Sequence, residues 1–212
     1  MREAAPREIE IYFTEEGRAP FTEWLDSLRD IRGRVKIRTR LDRVQLGNFG
    51  DGAGVGEGVN ELRINFGPGY RVYYGQVGSK VVLLLCGGDK NTQTQDILKP
   101  RATGRTTRKG RAMAPPSKPY HPELIKALRD PREALGYLNA SLEDGDPEGF
   151  LLALRNVAEA QGGVAQLAEA AKLNRESLYR MLSDRGNPEF RSLDALLHAL
   201  GFRLAIAVED RR

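Results

Sequence analysis

Cysteine is almost missing from this sequence: Cys86 stands alone among 212 residues, so no internal disulfide can form, and such usage fits a reducing cytoplasm. Histidine is nearly as scarce. His121 and His198 lie far apart with no second thiol to join them, which argues against structural or catalytic zinc. His198 falls inside an apolar helical pattern and reads as a packing or surface residue. Long apolar stretches are lacking too: the longest, Val81 to Cys86, has six residues, against about 18 for a membrane-spanning helix. No transmembrane helix is expected, and the opening MREAAPREIEIYF has acids where a secretory signal has an apolar core. Glycines at 47, 50, 52, 54, 56 and 58 invite a phosphate-loop reading, but neither G-x-G-x-x-G nor G-x-x-x-x-G-K-[ST] fits any register. They read instead as a flexible loop.

What is present describes a chain with a packed core, 40% hydrophobic and 29% charged, long enough for two small domains. Its net charge of +4 is small but unevenly spread. Residues 1–102 sum to +2, residues 103–118 to +5 with no acid, and residues 119–212 to −3. The middle stretch TGRTTRKGRAMAPPSK has no apolar period and the Gly, Pro, Ser and Thr content of a basic flexible linker, so the boundary is placed there. Met113 within it reads as a second translation start, as in two fused or joined chains.

In the first half, Ile9, Ile11 and Phe13 alternate as in a half-buried strand. Pro20 opens a helix over 21–30 whose Phe21, Trp24, Leu25 and Leu28 share one face. A second helix over 31–46 turns Ile31, Val35, Leu41 and Val44 inward and carries six basic residues, expected as an exposed face. Strand-like runs at 60–65, 70–76 and 80–86 follow, separated by Gly67-Pro68-Gly69 and Val77-Gly78-Ser79. The half reads β-α-α-β-β-β. The second half reads as four to six short helices over 123–130, 132–144, 147–161, 164–171, 175–183 and 192–201, with one terminal strand over 202–208.

Arg63, Arg71 and Lys90 fall at or just beyond these strands, where a small sheet would aim them at one face. Converging cations there would hold an RNA phosphate and stabilise charge developing on it, because fixed donors act without reorganisation. A set of solvated surface charges is the other reading. Tyr70, Tyr73 and Tyr74 would stack on bases or move a proton, or simply pack.

These residues carry a resemblance. GVNELRINFGPGYRVYY followed by VVLLLCGGDKNTQTQDI is similar to the RelE/ParE superfamily of toxins, in particular its HigB-like, phage-related "addiction module killer" branch, over about residues 7–100. The resemblance implies a RelE-like small antiparallel sheet with two helices (domain 1–102). It also implies a ribosome-dependent mRNA endonuclease that works without a metal or other cofactor. By position Arg63 and Arg71 match the family's basic active-site residues, and Lys90 lies near the loop that supplies another. Tyr73 is carried over as a further catalytic residue, and Tyr70 and Gln93 as RNA-binding ones. No histidine occurs in this half, so proton transfer would fall to a lysine, tyrosine or carboxylate.

In the second half, QLAEAAKLNRESLYRMLS has helix-turn-helix spacing at about 164–183: Leu167, Ala168, Leu173, Leu178 and Leu182 are apolar where two crossing helices must pack. Asn174 would cap the second helix. Lys172, Asn174, Arg175, Glu176, Ser177, Tyr179 and Arg180 would then face DNA. Lys172 stands where such turns often have glycine, at a cost of about 1 kcal/mol if its φ is positive. The whole stretch 137–204 resembles the HigA-like "addiction module antidote" family, cognate partners of the toxins just named. The α+β fold class is therefore a RelE-like domain joined to an all-α domain (119–212). The expected function is a bacterial cytoplasmic toxin–antitoxin module in one chain. Its partners would be operator DNA, the ribosome and its mRNA, the other half in cis or trans, and a second copy through residues 190–208, with no membrane. A gyrase-poisoning toxin, or a DNA-binding regulator with an inactive toxin half, are the alternatives.

Overall fold

Alternation at the N-terminus builds β1 (Glu8–Tyr12), with Ile9 and Ile11 buried. The computed structural model describes residues 5–78, 81–90, 116–183 and 186–206, and the chain divides into two units, Met1–Leu124 and Ile125–Arg212. It is mixed α+β, and its described residues include one six-stranded sheet and eight helices.

In the first unit, α1 (Pro20–Ser27) starts on its proline and buries Phe21 and Leu25. It stops short of the expected residue 30 because Asp30 has another task. Its carboxylate accepts the Arg32 amide at 2.9 Å and so caps α2 (Ile31–Gln45), which requires extended backbone at Leu28 and Asp30. Val35, Ile37, Leu41 and Val44 of α2 are all buried. The basic side is not the exposed face expected of it: Arg38 and Arg40 are buried, and Arg40 donates to the carbonyls of Phe49 and Asp51. That clamp holds the glycine-rich stretch, which is not a loop throughout but contains β2 (Gly52–Gly56), paired with β3 (Val59–Ile64). A guanidinium in the middle of a helix reaches two carbonyls at once, a non-local contact that local composition does not reveal.

The remaining strands are β4 (Tyr70–Val77), β5 (Val81–Asp89) and β6 (Ser117–Pro119). The order is β2-β3-β4-β5-β1-β6. All neighbours are antiparallel except β1 and β5, which run parallel, so the sheet is mixed rather than the antiparallel one expected. Residues 103–115 of the expected linker lie outside the described residues, but Ser117 and Lys118 belong to a strand of this sheet. Helices α1 and α2 cover one face. Trp24 meets Tyr70 edge-on there, with ring centroids 6.2 Å apart, and lies directly over Gly87, where a Cβ would come within 1.9 Å of its ring.

Beyond Tyr120 the chain forms α3 (His121–Ala127), α4 (Pro131–Glu143), α5 (Pro147–Ala160), α6 (Val164–Ala170), α7 (Arg175–Met181) and α8 (Phe190–Ala199). Asp130 and Asp146 cap α4 and α5 through the amides of Arg132 (2.8 Å) and Glu148 (3.1 Å). In the second unit Leu128, Tyr137, Leu154, Val157, Leu167, Leu178 and Leu196 are buried, and Asn156 donates to the Tyr137 hydroxyl at 2.9 Å. The strand expected over 202–208 does not form in residues 202–206, and 207–208 lie outside the described residues.

Candidate functional site

The antiparallel register of β3 and β4 sets Arg63 directly opposite Arg71, and that of β4 and β5 sets Arg71 opposite Gly88. Residues opposite one another in such a ladder share a face. The two arginines that the sequence singles out are therefore brought together, on the face away from α1 and α2. Lys90 follows at the end of β5, exposed, its amide donating to the Gly69 carbonyl at 2.9 Å. Gly69 has φ +80°, a conformation that L side chains rarely adopt, and so the Gly67-Pro68-Gly69 turn brings Arg71 and Lys90 to one end of the sheet.

Electrostatics at this end are not those of bare cations. Arg63, with 38% of its side chain exposed, is held by Glu61: its Nε donates to Oε1 at 2.8 Å, and Asp51 lies 3.5 Å away. That hydrogen bond, ahead of the Coulomb attraction of the same carboxylate, raises the guanidinium above its ordinary pKa. Glu61 is only 1% exposed. Sequence reasoning missed it, although a carboxylate two positions before Arg63 in a strand necessarily shares its face. Arg71 is 8% exposed, not solvent-facing, and makes no ion pair among the described residues. One of its terminal nitrogens donates to the Tyr70 carbonyl at 3.0 Å, and its Nε has no hydrogen-bond partner among the described residues.

The tyrosines divide by face. Tyr73 shares the arginine face but is 0% exposed, packed with Tyr12, Val59, Leu83, Leu85 and Cys86. Tyr70 lies on the opposite face, buried beside Trp24, where burial raises its phenol above the usual pKa, with Asp30 and Asp89 adding smaller pushes. It does not face the arginines. Tyr74 is buried on that same helical side, stacked against Phe49 with centroids 5.8 Å apart. Gln93 lies outside the described residues.

In the second unit, α6 and α7 are joined by a four-residue turn in which Lys172 takes φ 55°, the strained conformation that its position implied. Asn174 caps α7, its Oδ1 accepting the Ser177 amide at 3.1 Å. Leu167, Ala168, Leu178 and Leu182 are buried and Leu173 is half-buried. Lys172, Asn174, Arg175, Glu176, Ser177, Tyr179 and Arg180 are all exposed, and the Arg175 guanidinium lies over the Tyr179 ring, 5.6 Å from its centroid. A cavity of about 460 Å³ opens between α7 and α8, lined in part by Ser177, Arg180, Asn187, Glu189 and Ser192. Among the described residues no helix is long and apolar enough to cross a membrane.

One unit with a sheet that gathers arginines at one end, and another of short helices with a capped, exposed α7, define a two-part protein. Residues 116–208 match the family model described as "Probable addiction module antidote protein". Two similar proteins of Haemophilus influenzae are both described as "Uncharacterized protein". One is 51% identical over 77 residues, covering 36% of this chain and 78% of the relative. The other is 32% identical over 84 residues, covering 40% and 86%. Each relative is thus about half as long as this chain. No solved structure matches it. Through residues 116–208 the chain belongs to the family of probable addiction module antidote proteins, and an antidote implies a toxin partner.

Proposed function

We propose that the chain is a toxin–antitoxin module, with the first unit a ribosome-dependent mRNA endonuclease and the second a DNA-binding antidote that represses its own operon. The antidote match is the observation that carries this reading, because it supplies one member of a pair whose other member the first half resembles. Two half-length relatives support it further, since units of this size occur as separate chains.

For the toxin, the paired Arg63 and Arg71 with Lys90 beside them are the groups to hold a messenger phosphate. The economical route is attack of the ribose 2′-oxygen, its proton taken by a base, on that phosphate; the P–O5′ bond breaks, the 5′-oxygen leaves as a protonated hydroxyl and a 2′,3′-cyclic phosphate remains, with the arginines stabilising the phosphorane. Arg71 is the first choice for that role and Arg63 the second. Removing one such donor typically costs about 10²–10³ in rate. Toeprinting on translated messages, with released toxin unit and its Arg63→Ala and Arg71→Ala variants, tests the mechanism. Because Arg71 is buried, its variant needs a folding check. Cleavage at parental rate by both variants would end this assignment.

For the antidote, the exposed residues of α7 are placed to reach phosphates and base edges in a major groove, and exposed Phe190 and Ile206 support pairing of two copies through residues 190–208. Two half-sites about 34–36 Å apart are then expected. Arg180→Ala should weaken operator binding and flatten its salt dependence by about one unit if Arg180 meets phosphate. Equal affinity for promoter and random DNA near physiological salt would sink the repressor reading.

One observation favours a second reading. Arg63 is already neutralised by Glu61 and Asp51, and Arg71 is largely buried, as in a regulator whose toxin half is inactive. Growth of cells expressing residues 1–102 alone separates the two.

A further inference from the structure

The antidote match begins at residue 116, yet residues 116–124 belong to the first unit, and Ser117–Pro119 form its outermost strand at the β1 side. We propose that this segment is the antidote's docking strand, by which it recognises the toxin unit through addition to the β1 edge. The inference rests on the toxin–antitoxin reading for its biological meaning, but the contact itself is a matter of geometry.

β1 pairs with β5 on one side only, and its other edge is filled by β6 in the register Glu10 to Pro119, Ile11 to Lys118 and Tyr12 to Ser117. Without that filler, β1 would offer a row of unpaired amides and carbonyls, the surface that an extended partner segment reads in strand addition. The Phe13 amide donates to the Pro116 carbonyl at 2.8 Å, and the Tyr120 amide to the Ile9 carbonyl at 3.0 Å. In an antiparallel ladder the backbone polar groups alternate in direction, so Pro116, Lys118 and Tyr120 turn theirs toward β1 while Ser117 and Pro119 turn theirs away. Pro119 therefore sits where its missing donor costs no ladder bond, and where it prevents any further strand from adding outside. Pro116 faces inward but serves only as an acceptor, which ends the ladder.

Side chains make the strand specific. Ser117 donates its hydroxyl to the Glu10 carboxylate, and the Lys118 ammonium lies 4.9 Å from the centre of the Phe13 ring. Tyr120, 3% exposed, packs edge-on against Phe21 of α1 with ring centroids 6.2 Å apart, and Leu124 is also buried. A short ladder with one buried aromatic anchor is the anatomy of a peptide-recognition contact, in which the anchor carries most of the affinity.

The alternation supplies the test. A site for a specific protease is placed within residues 103–112 of the full chain, the folded protein is cut, and the two fragments are followed by size-exclusion chromatography. The parent should stay associated, and Ser117→Pro and Lys118→Ala, which give up only the side-chain contacts to Glu10 and Phe13 and no ladder donor, should release their fragments only modestly faster. Lys118→Pro removes the inward amide, and its fragments should separate at least about tenfold faster. Equal behaviour of the proline variants at 117 and 118, or release of neither, overturns the proposal. Hydrogen exchange on the uncut Lys118→Pro chain keeps misfolding distinguishable: the Phe13 amide should lose protection while those of Leu62 and Val72 keep theirs, and uniform loss counts against a detachable strand. Cell growth is read in parallel. Harmless variants that nonetheless release their fragment leave the docking strand standing and remove the toxin; toxic residues 1–102 with a Lys118→Pro chain that stays associated do the reverse.

Discussion

Individual tyrosines report how the first unit is packed. Burial is the leading cause that raises the phenols of Tyr12, Tyr70 and Tyr74 above their ordinary pKa of 10.0, with Glu15 and Glu16 adding to it at Tyr12 and the Arg40 guanidinium opposing it at Tyr74. Between pH 10 and their folded values, these groups keep protons that the unfolded chain has released, so stability should fall as pH rises through that window and be unaffected by them below it. Tyrosinate absorbance should therefore lag behind that of the urea-unfolded protein, with part of the seven-tyrosine signal appearing only as the unit opens. Simultaneous ionisation of all seven near pH 10 would contradict this packing. At the same scale the chain's glycines are not interchangeable. A Cβ on Gly87 would lie 1.9 Å from the Trp24 ring, so Gly87→Ala should destabilise the unit by roughly 1–3 kcal/mol and shift the emission of the only tryptophan. A change in neither the urea midpoint nor the spectrum would mean that Trp24 does not sit on this strand.

At the scale of elements, local pattern announced most of what forms. Period-two alternation marked β1, strand-like runs bounded by turn signals marked β3, β4 and β5, and capping chemistry at Asp30, Asp130, Asp146 and Asn174 lies where the helices begin. Non-local features were illegible for a physical reason. β2 has three glycines in five residues and owes its place to the Arg40 clamp and to β3, while β6 is three residues whose identity as a strand depends on a partner more than a hundred positions earlier. The arginine pair was legible as adjacent strands, since its register follows from the Gly67-Pro68-Gly69 turn, but its burial and its acid partners were not. Spacing says which face a side chain takes, not what else has been packed there. The turn between α6 and α7 yields a sharp expectation. Lys172 at φ 55° pays a steric penalty that glycine does not, so Lys172→Gly should stabilise the second unit by up to about 1 kcal/mol, a rise of roughly 4–8 °C in Tm for a unit of this size. Unchanged or lowered Tm would place Lys172 in an ordinary helical conformation.

For the whole molecule, the decisive quantity is tethering. Residues 90–116 separate the end of β5 from the start of the docking strand, and a stretch of that length held on one chain gives an effective concentration near millimolar. On the proposed toxin–antitoxin reading, neutralisation in the full chain should then be independent of expression level. Two halves expressed separately should neutralise only while the antidote is at least equimolar with the toxin. Growth measured across a range of inducer concentrations checks this, and a full chain that poisons cells more as it accumulates would refute it. The contact between Glu10 and Ser117 spans 107 positions of sequence, which gives it a meaning in time as well as in space. Ribosomes add about 5–20 residues each second, so the β1 edge stays bare for on the order of one to three seconds between synthesis of residue 102 and of Pro119. Promoter strength cannot alter that interval; codon choice across the basic stretch can, and it sets how long each newborn chain exists as a sheet without its cap.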